Sequence, residues 1–256
     1  MHSAVASATT PVRARMAARR LGLMPYAQAW ELQKRLAAAR VAGEEIDTLL
    51  LLEHPPVYTL GRNSGEEHIL ASRETLAARG ATVERIDRGG EVTFHGPGQL
   101  VAYPIMRLEG AERSIAWLVD TLEQTIIQTL ADYGIAGELM EGQRGVWTGG
   151  HKIASVGLAL KRWVVMHGMA LNVAPDLSYF ELINPCGHPE TVMTSMERVL
   201  GHAPNLAEVG DRFAQHAARR FGRTLVPFTP QPPLAVAGER ARTVPIAQVS
   251  GHAPRQ

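Results

Sequence analysis

The chain has 256 residues and 27.8 kDa, enough to bury one substantial core. With 45% hydrophobic and 20% charged residues the composition is globular, which excludes a chain disordered throughout. A net charge of +1 excludes general affinity for nucleic acid or membranes, and the longest apolar runs (residues 48–52 and 153–160) are too short to span a bilayer.

Residues 1–20 hold no acid, four arginines (Arg13, Arg15, Arg19, Arg20) and many Ala and Ser. The same Ala/Arg bias runs through the whole chain, so this segment is expected to be a disordered or loosely attached extension rather than a targeting peptide. Residues 26–42 are predicted helical, with Trp30, Leu32 and Leu36 near one face. Residues 47–53 and 56–60 read as buried strands joined at His54-Pro55. Strand-like segments at 82–86 and 100–105 flank a glycine-rich stretch. The clearest amphipathic helix is 114–133, where Ile115, Leu118, Leu122, Ile126 and Leu130 recur at spacings of three or four. Residues 153–160 and 163–173 read as a hairpin of central strands turning at Lys161-Arg162. A short segment from Ser178 opens with Ser178-x-x-Glu181, like a capping box. A helix over 205–221 has Asn205-x-x-Glu208 as its start signal and Gly222 as its stop. The proline-rich residues 223–256 are expected to form a strap and a partly disordered tail. The result is an α+β fold in one domain over 21–222, a mixed or antiparallel central sheet with flanking helices.

Three features carry chemistry. Residues 88–99 pack four glycines, a proline, an arginine and a histidine into twelve positions. Glycine lets a ligand approach the main chain closely, so such density marks a binding loop, the alternative being a plain glycine-rich hairpin. The stretch lacks the dinucleotide and P-loop patterns. Cys186 is the single cysteine, which excludes an internal disulfide or a thiolate-rich metal cluster and fits a reducing compartment. A lone cysteine can be an inert buried hydrophobe, but Pro185 and Gly187 point to a thiol displayed on a loop, where backbone N–H groups could meet an oxyanion. A thiol nucleophile needs help, because only the thiolate reacts. Of 26 basic residues only Lys34, Lys152 and Lys161 are lysine. Arginine cannot give up its proton, whereas a partly buried lysine can act as a base. Lys34 and Lys161 read as solvated charges. Lys152 opens the apolar run at 153–160 and stands either as a hairpin-flanking charge or as an amine aimed into a site.

Leu52-Glu53-His54-Pro55-Pro56-Val57-Tyr58-Thr59-Leu60-Gly61, Arg88-Gly89-Gly90-Glu91-Val92-Thr93-Phe94-His95-Gly96-Pro97-Gly98-Gln99-Leu100, Gly145-Val146-Trp147, Lys152-Ile153-Ala154-Ser155-Val156-Gly157, His167-Gly168-Met169-Ala170-Leu171-Asn172-Val173 and Asn184-Pro185-Cys186-Gly187 follow one another in the chain. In order and spacing they resemble the signature blocks of octanoyltransferases, lipoate-biosynthesis enzymes of the biotin/lipoate protein ligase fold. The resemblance spans about residues 21–221 and departs at Phe94, where tyrosine is common.

The resemblance implies that Cys186 is the nucleophile that takes octanoyl from octanoyl-acyl carrier protein as a thioester. It implies that Lys152 lowers the thiol's pKa and manages protons. Arg88, Gly89, Gly90, Glu91, Val92, Thr93, Phe94 and His95, then Ser155, Val156 and Gly157, then Gly168, Met169 and Ala170, match substrate-binding segments. His95 stands either as a residue that orients the thiol or contacts the substrate, or as a hydrogen-bonded loop histidine; His167 reads as a structural histidine near the site. The implied acceptors are lysines of lipoyl domains in 2-oxoacid dehydrogenase subunits and of the glycine-cleavage H protein. No cofactor and no metal are expected, since His54, His95, His151 and His167 show no ligand spacing on one element. A cytoplasmic monomer is expected. The rival reading is an ATP-dependent lipoate or biotin ligase on the same fold, which would need no nucleophilic cysteine.

Overall fold

The structure is a computed structural model that describes residues 14–62, 64–184 and 191–227. Ten strands and five α-helices follow in chain order among the described residues: β1 (Arg15–Leu23), α1 (Tyr26–Ala42), β2 (Asp47–Glu53), β3 (Val57–Leu60), α2 (Arg73–Ala78), β4 (Thr82–Arg85), β5 (Val92–His95), β6 (Gln99–Ile105), α3 (Ile115–Ala131), β7 (Val146–Thr148), β8 (His151–Lys161), β9 (Val164–Asn172), α4 (Met196–Leu200), α5 (Leu206–Arg220) and β10 (Thr224–Val226). A seven-stranded sheet runs β10-β1-β2-β6-β9-β8-β7, and a smaller one runs β4-β3-β5. The large sheet is mixed: β1 pairs in parallel with β2 and β10, and every other neighbour is antiparallel. The expected α+β architecture is therefore what the chain adopts.

Both faces of the large sheet are covered, which is why its central strands read as unbroken apolar runs. Along β2 the side chains alternate between the two covers. Leu49 and Leu51 face α3 and α5 with Leu122, Ile126 and Phe213; Leu50 and Leu52 face α1 with Ala29, Leu36 and Ala37. Helix α3 starts where Ser114 accepts a hydrogen bond from the Trp117 N–H (3.3 Å). Helix α5 starts where the Asn205 carboxamide accepts from Ala207 and Glu208, and Gly222, at φ +63°, ends it. Strands β8 and β9 form the expected hairpin, with the tight turn one residue later, at Arg162-Trp163. Both of those residues have positive φ (50° and 63°), as a right-twisted two-residue turn requires.

Several expectations are corrected or refined. Residues 15–20 are not a loose extension: they belong to β1, with Met16 and Ala17 buried between β2 and β10. Arginines in an edge-side strand hid its alternation. Residues 1–13 lie outside the described residues, as does the chain after 227, but 224–226 form β10 rather than a strap. Strands β2 and β3 are the two buried strands expected on either side of His54-Pro55; they lie in different sheets, because the Pro55-Pro56 pair offers no N–H to continue a ladder and the chain crosses to the small sheet. The buried face of α1 is Tyr26, Ala29, Gln33, Leu36 and Ala37, with Leu32 partly buried beside it, while Trp30 packs partly buried on a separate cluster of Tyr26, Val57 and Ile86, its ring under the Lys34 amine (3.9 Å). Finally, the cap before the 3-10 segment Leu177–Leu182 is Asp176, which accepts from the Ser178 N–H (2.9 Å), and not Ser178.

The two ends of the domain are held by one buried ion cluster. Arg223 donates from Nε to Asp47 (2.9 Å), from its two terminal nitrogens to Glu112, and also to the carbonyls of Phe221 and Arg107. Arg40 adds a second bond to Asp47 (2.7 Å). The Arg107 N–H also donates to Asp47 (3.1 Å), so replacing Arg223 leaves both remaining bonds on Oδ1 and strips the buried Oδ2 of its partner. Arg223→Ala should therefore lower unfolding free energy by about 3–5 kcal/mol, read as a lower urea midpoint.

Candidate active site

Strand β8 is longer than its partner β7, whose pairing ends at Ala154. Beyond that point β8 has an open edge, and the glycine-rich loop docks on it: Gly89 donates its N–H to the Leu158 carbonyl (2.9 Å). Two bare positions allow this approach. A Cβ on Gly157 would come within 3.0 Å of Arg88 Cδ, and one on Gly61 within 2.0 Å of the Gly90 carbonyl oxygen. Arg88 is buried and clamps the loop to the small sheet through Thr59, donating 2.8 Å bonds to both its carbonyl and its hydroxyl. Between this loop, the β8 edge, β9 and the start of α3 lies a cavity of about 620 Å³, the size of a small-molecule site.

Lys152 lines this cavity and is only 3% exposed. It is the second residue of β8, and its ammonium stands 4.9 Å from the centre of the Trp147 ring. Lys34 and Lys161 lie at the surface of α1 and the end of β8, so the buried lysine is the one that the sequence singled out. The Lys152 main chain bonds to the segment that follows Cys186. Its N–H donates to the Val192 carbonyl and its carbonyl accepts from the Thr194 N–H, both at 2.9 Å. Cys186 itself, with residues 185 and 187–190, lies outside the described residues. Glu123 is buried on α3 and accepts the Gly145 N–H at 2.7 Å. Burial raises its carboxyl above the usual range, against the opposing pull of that bond and of the charges of Arg144 and Lys152.

A buried polar cluster closes another part of the cavity. His54 donates from Nδ1 to the Met24 carbonyl (2.7 Å) and accepts the Tyr103 hydroxyl at Nε2 (2.8 Å). His167 donates from Nε2 to the Asp87 carboxylate (2.8 Å) and accepts the Tyr26 hydroxyl at Nδ1 (3.2 Å). Its N–H donates to Gln33 (2.7 Å), and its φ of 58° is unusual for a side-chain-bearing strand residue. The contacts that hold it there tie Asp87, at the foot of the glycine-rich loop, to the large sheet. Burial pushes His54 down to about 4, partly countered by its bond to Met24; burial also lowers His167, against the pull of Asp87.

Of the residues singled out from sequence, Arg88, Gly89, Gly90, Glu91, Val92, Thr93, His95, Lys152, Ser155, Val156, Gly157, Gly168, Met169 and Ala170 all line the cavity. Phe94 does not. It points from β5 into the core of the small sheet, stacked on Tyr179 and packed against Tyr58 and Phe180. Strand alternation puts residues 92 and 94 on that core, so the departure at Phe94 falls outside the site. Gly168 has a packing reason to be bare, since a Cβ there would stand 2.0 Å from the Ala102 carbonyl oxygen. Tyr26, Tyr103, Arg62, Arg144 and Glu123 were not singled out from sequence. Only Glu123 left a signal there, a carboxylate among Val119, Leu122 and Ile126 on an apolar face.

Residues 25–218 match the lipoyl protein ligase A/B catalytic domain. The chain belongs to that family. Among relatives, the octanoyltransferase of Solibacter usitatus is 50% identical over 209 residues, 82% of this chain and 94% of the relative. The octanoyltransferase of Chloroflexus aggregans is 52% identical over 195 residues, 75% and 88% of the two chains. Solved structures share the fold at low identity. A putative lipoate protein ligase from Thermoplasma acidophilum superposes with a TM-score of 0.67 at 15% identity, over 86% of this chain and 90% of that one. A lipoate-protein ligase A bound with ATP gives 0.64 at 14%, over 85% and 90%. Within this family's fold, the glycine-rich loop and Lys152 are thus walls of one cavity.

Two outcomes are expected. Gly168→Ala forces backbone apart inside the sheet and should cost about 1–3 kcal/mol in denaturant unfolding, whereas Gly157→Ala, which meets Arg88 Cδ at 3.0 Å and the Gly89 carbonyl at 3.3 Å, asks for a shift of a few tenths of an ångström and should cost less. Acid should also unfold the protein early. An unfolded His54 takes up a proton near pH 6.5 while the folded one resists until about 4. Stability should therefore be intact above pH 6.5 and fall on the order of 3 kcal/mol by pH 4 from His54 alone. A flat stability profile between those values would contradict this burial.

Proposed function

We propose that the protein is an octanoyltransferase that works through a thioester on Cys186, with Lys152 as its proton manager. It would accept octanoyl from acyl carrier protein and deliver it to a lysine of a lipoyl domain, in 2-oxoacid dehydrogenase subunits or the glycine-cleavage H protein. The observation that carries this reading is the buried amine of Lys152 on the cavity wall, its backbone bonded to the strand segment a few residues after Cys186. Octanoyltransferase relatives at about half identity over most of the chain give the same activity class.

In the first half-reaction the Cys186 thiolate attacks the carrier thioester; a C–S bond forms to Cys186 and the carrier's C–S bond breaks. An ammonium beside a thiol favours the thiolate, and Lys152 can give its proton to the departing carrier thiolate. In the second, the acceptor amine attacks the acyl carbon. A C–N bond forms, the Cys186 C–S bond breaks, and the amine's proton passes through Lys152. The energy resides in the thioester, so no nucleotide or metal is required. Among the described residues no helix is long and apolar enough to cross a membrane. Action as a monomer in the cytoplasm is part of this proposal.

Incubation with octanoyl-acyl carrier protein and no ATP should add one octanoyl mass to the enzyme. Cys186→Ser should abolish both that adduct and transfer to a lipoyl domain. Lys152→Arg should lose most turnover although the charge is kept, because a guanidinium cannot serve as base. Absolute dependence on ATP would favour the ligase reading instead.

A further inference from the structure

The hydrogen bonds around His95 fix which of its nitrogens faces the cavity. Backbone carbonyls can only accept, so the Thr194 carbonyl fixes the orientation of Asn172, whose Nδ2 donates to it (2.9 Å). The Asn172 Oδ1 then accepts from Gln99 Nε2 (3.0 Å), which also donates to the Phe94 carbonyl (3.1 Å). Gln99 is left with its oxygen toward His95 Nδ1, at 3.1 Å, so Nδ1 carries the hydrogen. In the neutral ring Nε2 is a bare acceptor. Burial above all, and then the charges of His54, Arg88 and His167, hold His95 well below the usual histidine range, against the pull of Gln99.

That acceptor has no hydrogen-bond partner among the described residues, although His95 is only 7% exposed and lines the cavity. The rings packed against it have no proton to spare. His54, 5.7 Å away, gives its N–H to Met24 and already accepts from Tyr103; Tyr26, stacked at 6.1 Å, gives its hydroxyl to His167. A second acceptor stands on the same face of the chain: residues 91, 93 and 95 line the cavity, and Glu91 Oε2 is buried with no hydrogen-bond partner among the described residues. A saturated acyl chain offers nothing to these atoms. An attacking amine does, because its lone pair must aim at the acyl carbon while its N–H bonds point elsewhere.

We propose that His95 Nε2 receives an N–H of the acceptor lysine's amine and orients its lone pair on the acyl group, Glu91 marking the same wall as an amine subsite. This rests on the octanoyl-transfer reading and names the residue that positions the second substrate. His95 is then a substrate-binding residue of the second half-reaction and has no part in the first.

The test measures the half-reactions separately on the full chain: acylation by octanoyl-acyl carrier protein, followed by intact mass, and single-turnover transfer from the isolated acyl-enzyme to a lipoyl domain. His95→Asn keeps a donor for Gln99 and deletes the cavity acceptor. It should slow the second step relative to the first by about tenfold, the scale of one well-made hydrogen bond. His95→Gln, which can place a carbonyl oxygen near the Nε2 position, should recover part of that ratio. Equal slowing of both steps, a selective loss in the first, or no change overturns the proposal while leaving the transferase reading standing. A wild-type enzyme that gains no acyl mass overturns both.

Discussion

The site depends on a mismatch in strand length. β7 covers β8 only as far as Ala154, and the remaining edge is an open row of backbone groups. Such edges invite pairing with whatever comes near. Here the partner is the loop after β4, whose Gly89 bonds to Leu158 and whose Arg88 reaches back to Thr59. The loop thereby bridges the two sheets, and the cavity is the space left where the bridge stands off the wall. Remove the open edge, and the glycine-rich stretch has nothing to close against.

The same arrangement explains why polar groups collect in so apolar a domain. The cavity wall carries the cations Lys152, Arg62 and Arg144, and the acceptors Glu91 and His95 at and just before β5. Beneath lie two histidines and two tyrosines bonded to one another, to Asp87 and to a backbone carbonyl. Buried polar groups are tolerated when each is satisfied, and such networks fix one geometry. His167 is held in an uncommon backbone conformation by three bonds, which makes it the pin between loop and sheet.

Much of this was readable in the residues. The apolar repeat of residues 115–130, the start signal at Asn205 and the hairpin around residue 162 are local signals, and local physics decided them. The scarcity of lysine pointed to Lys152 for a chemical reason that its burial supports. What the sequence concealed is non-local. No spacing shows that His54, His95 and His167 meet around Tyr26, because 113 positions separate the first from the last and only the sheet order joins them. Strand β1 was hidden because its arginines read as a solvated arm, and its partner β10 comes from the other end of the chain. Phe94 looked like part of the binding stretch until alternation along β5 turned it to the core.

That last pairing bears on how the domain is made. The outer strand beside β1 and the arginine that neutralises Asp47 arrive some 175 residues after β2, with Arg223 at a sequence separation of 176 from Asp47. During synthesis Asp47 has Arg40 beside it from the start, but its Oδ2 must wait for Arg223 until nearly the whole domain has emerged. Closure of the sheet at β10 is therefore a late, long-range event, and a ribosome-bound chain stopped short of it carries an exposed edge at β1 and a buried carboxylate with one oxygen unmatched.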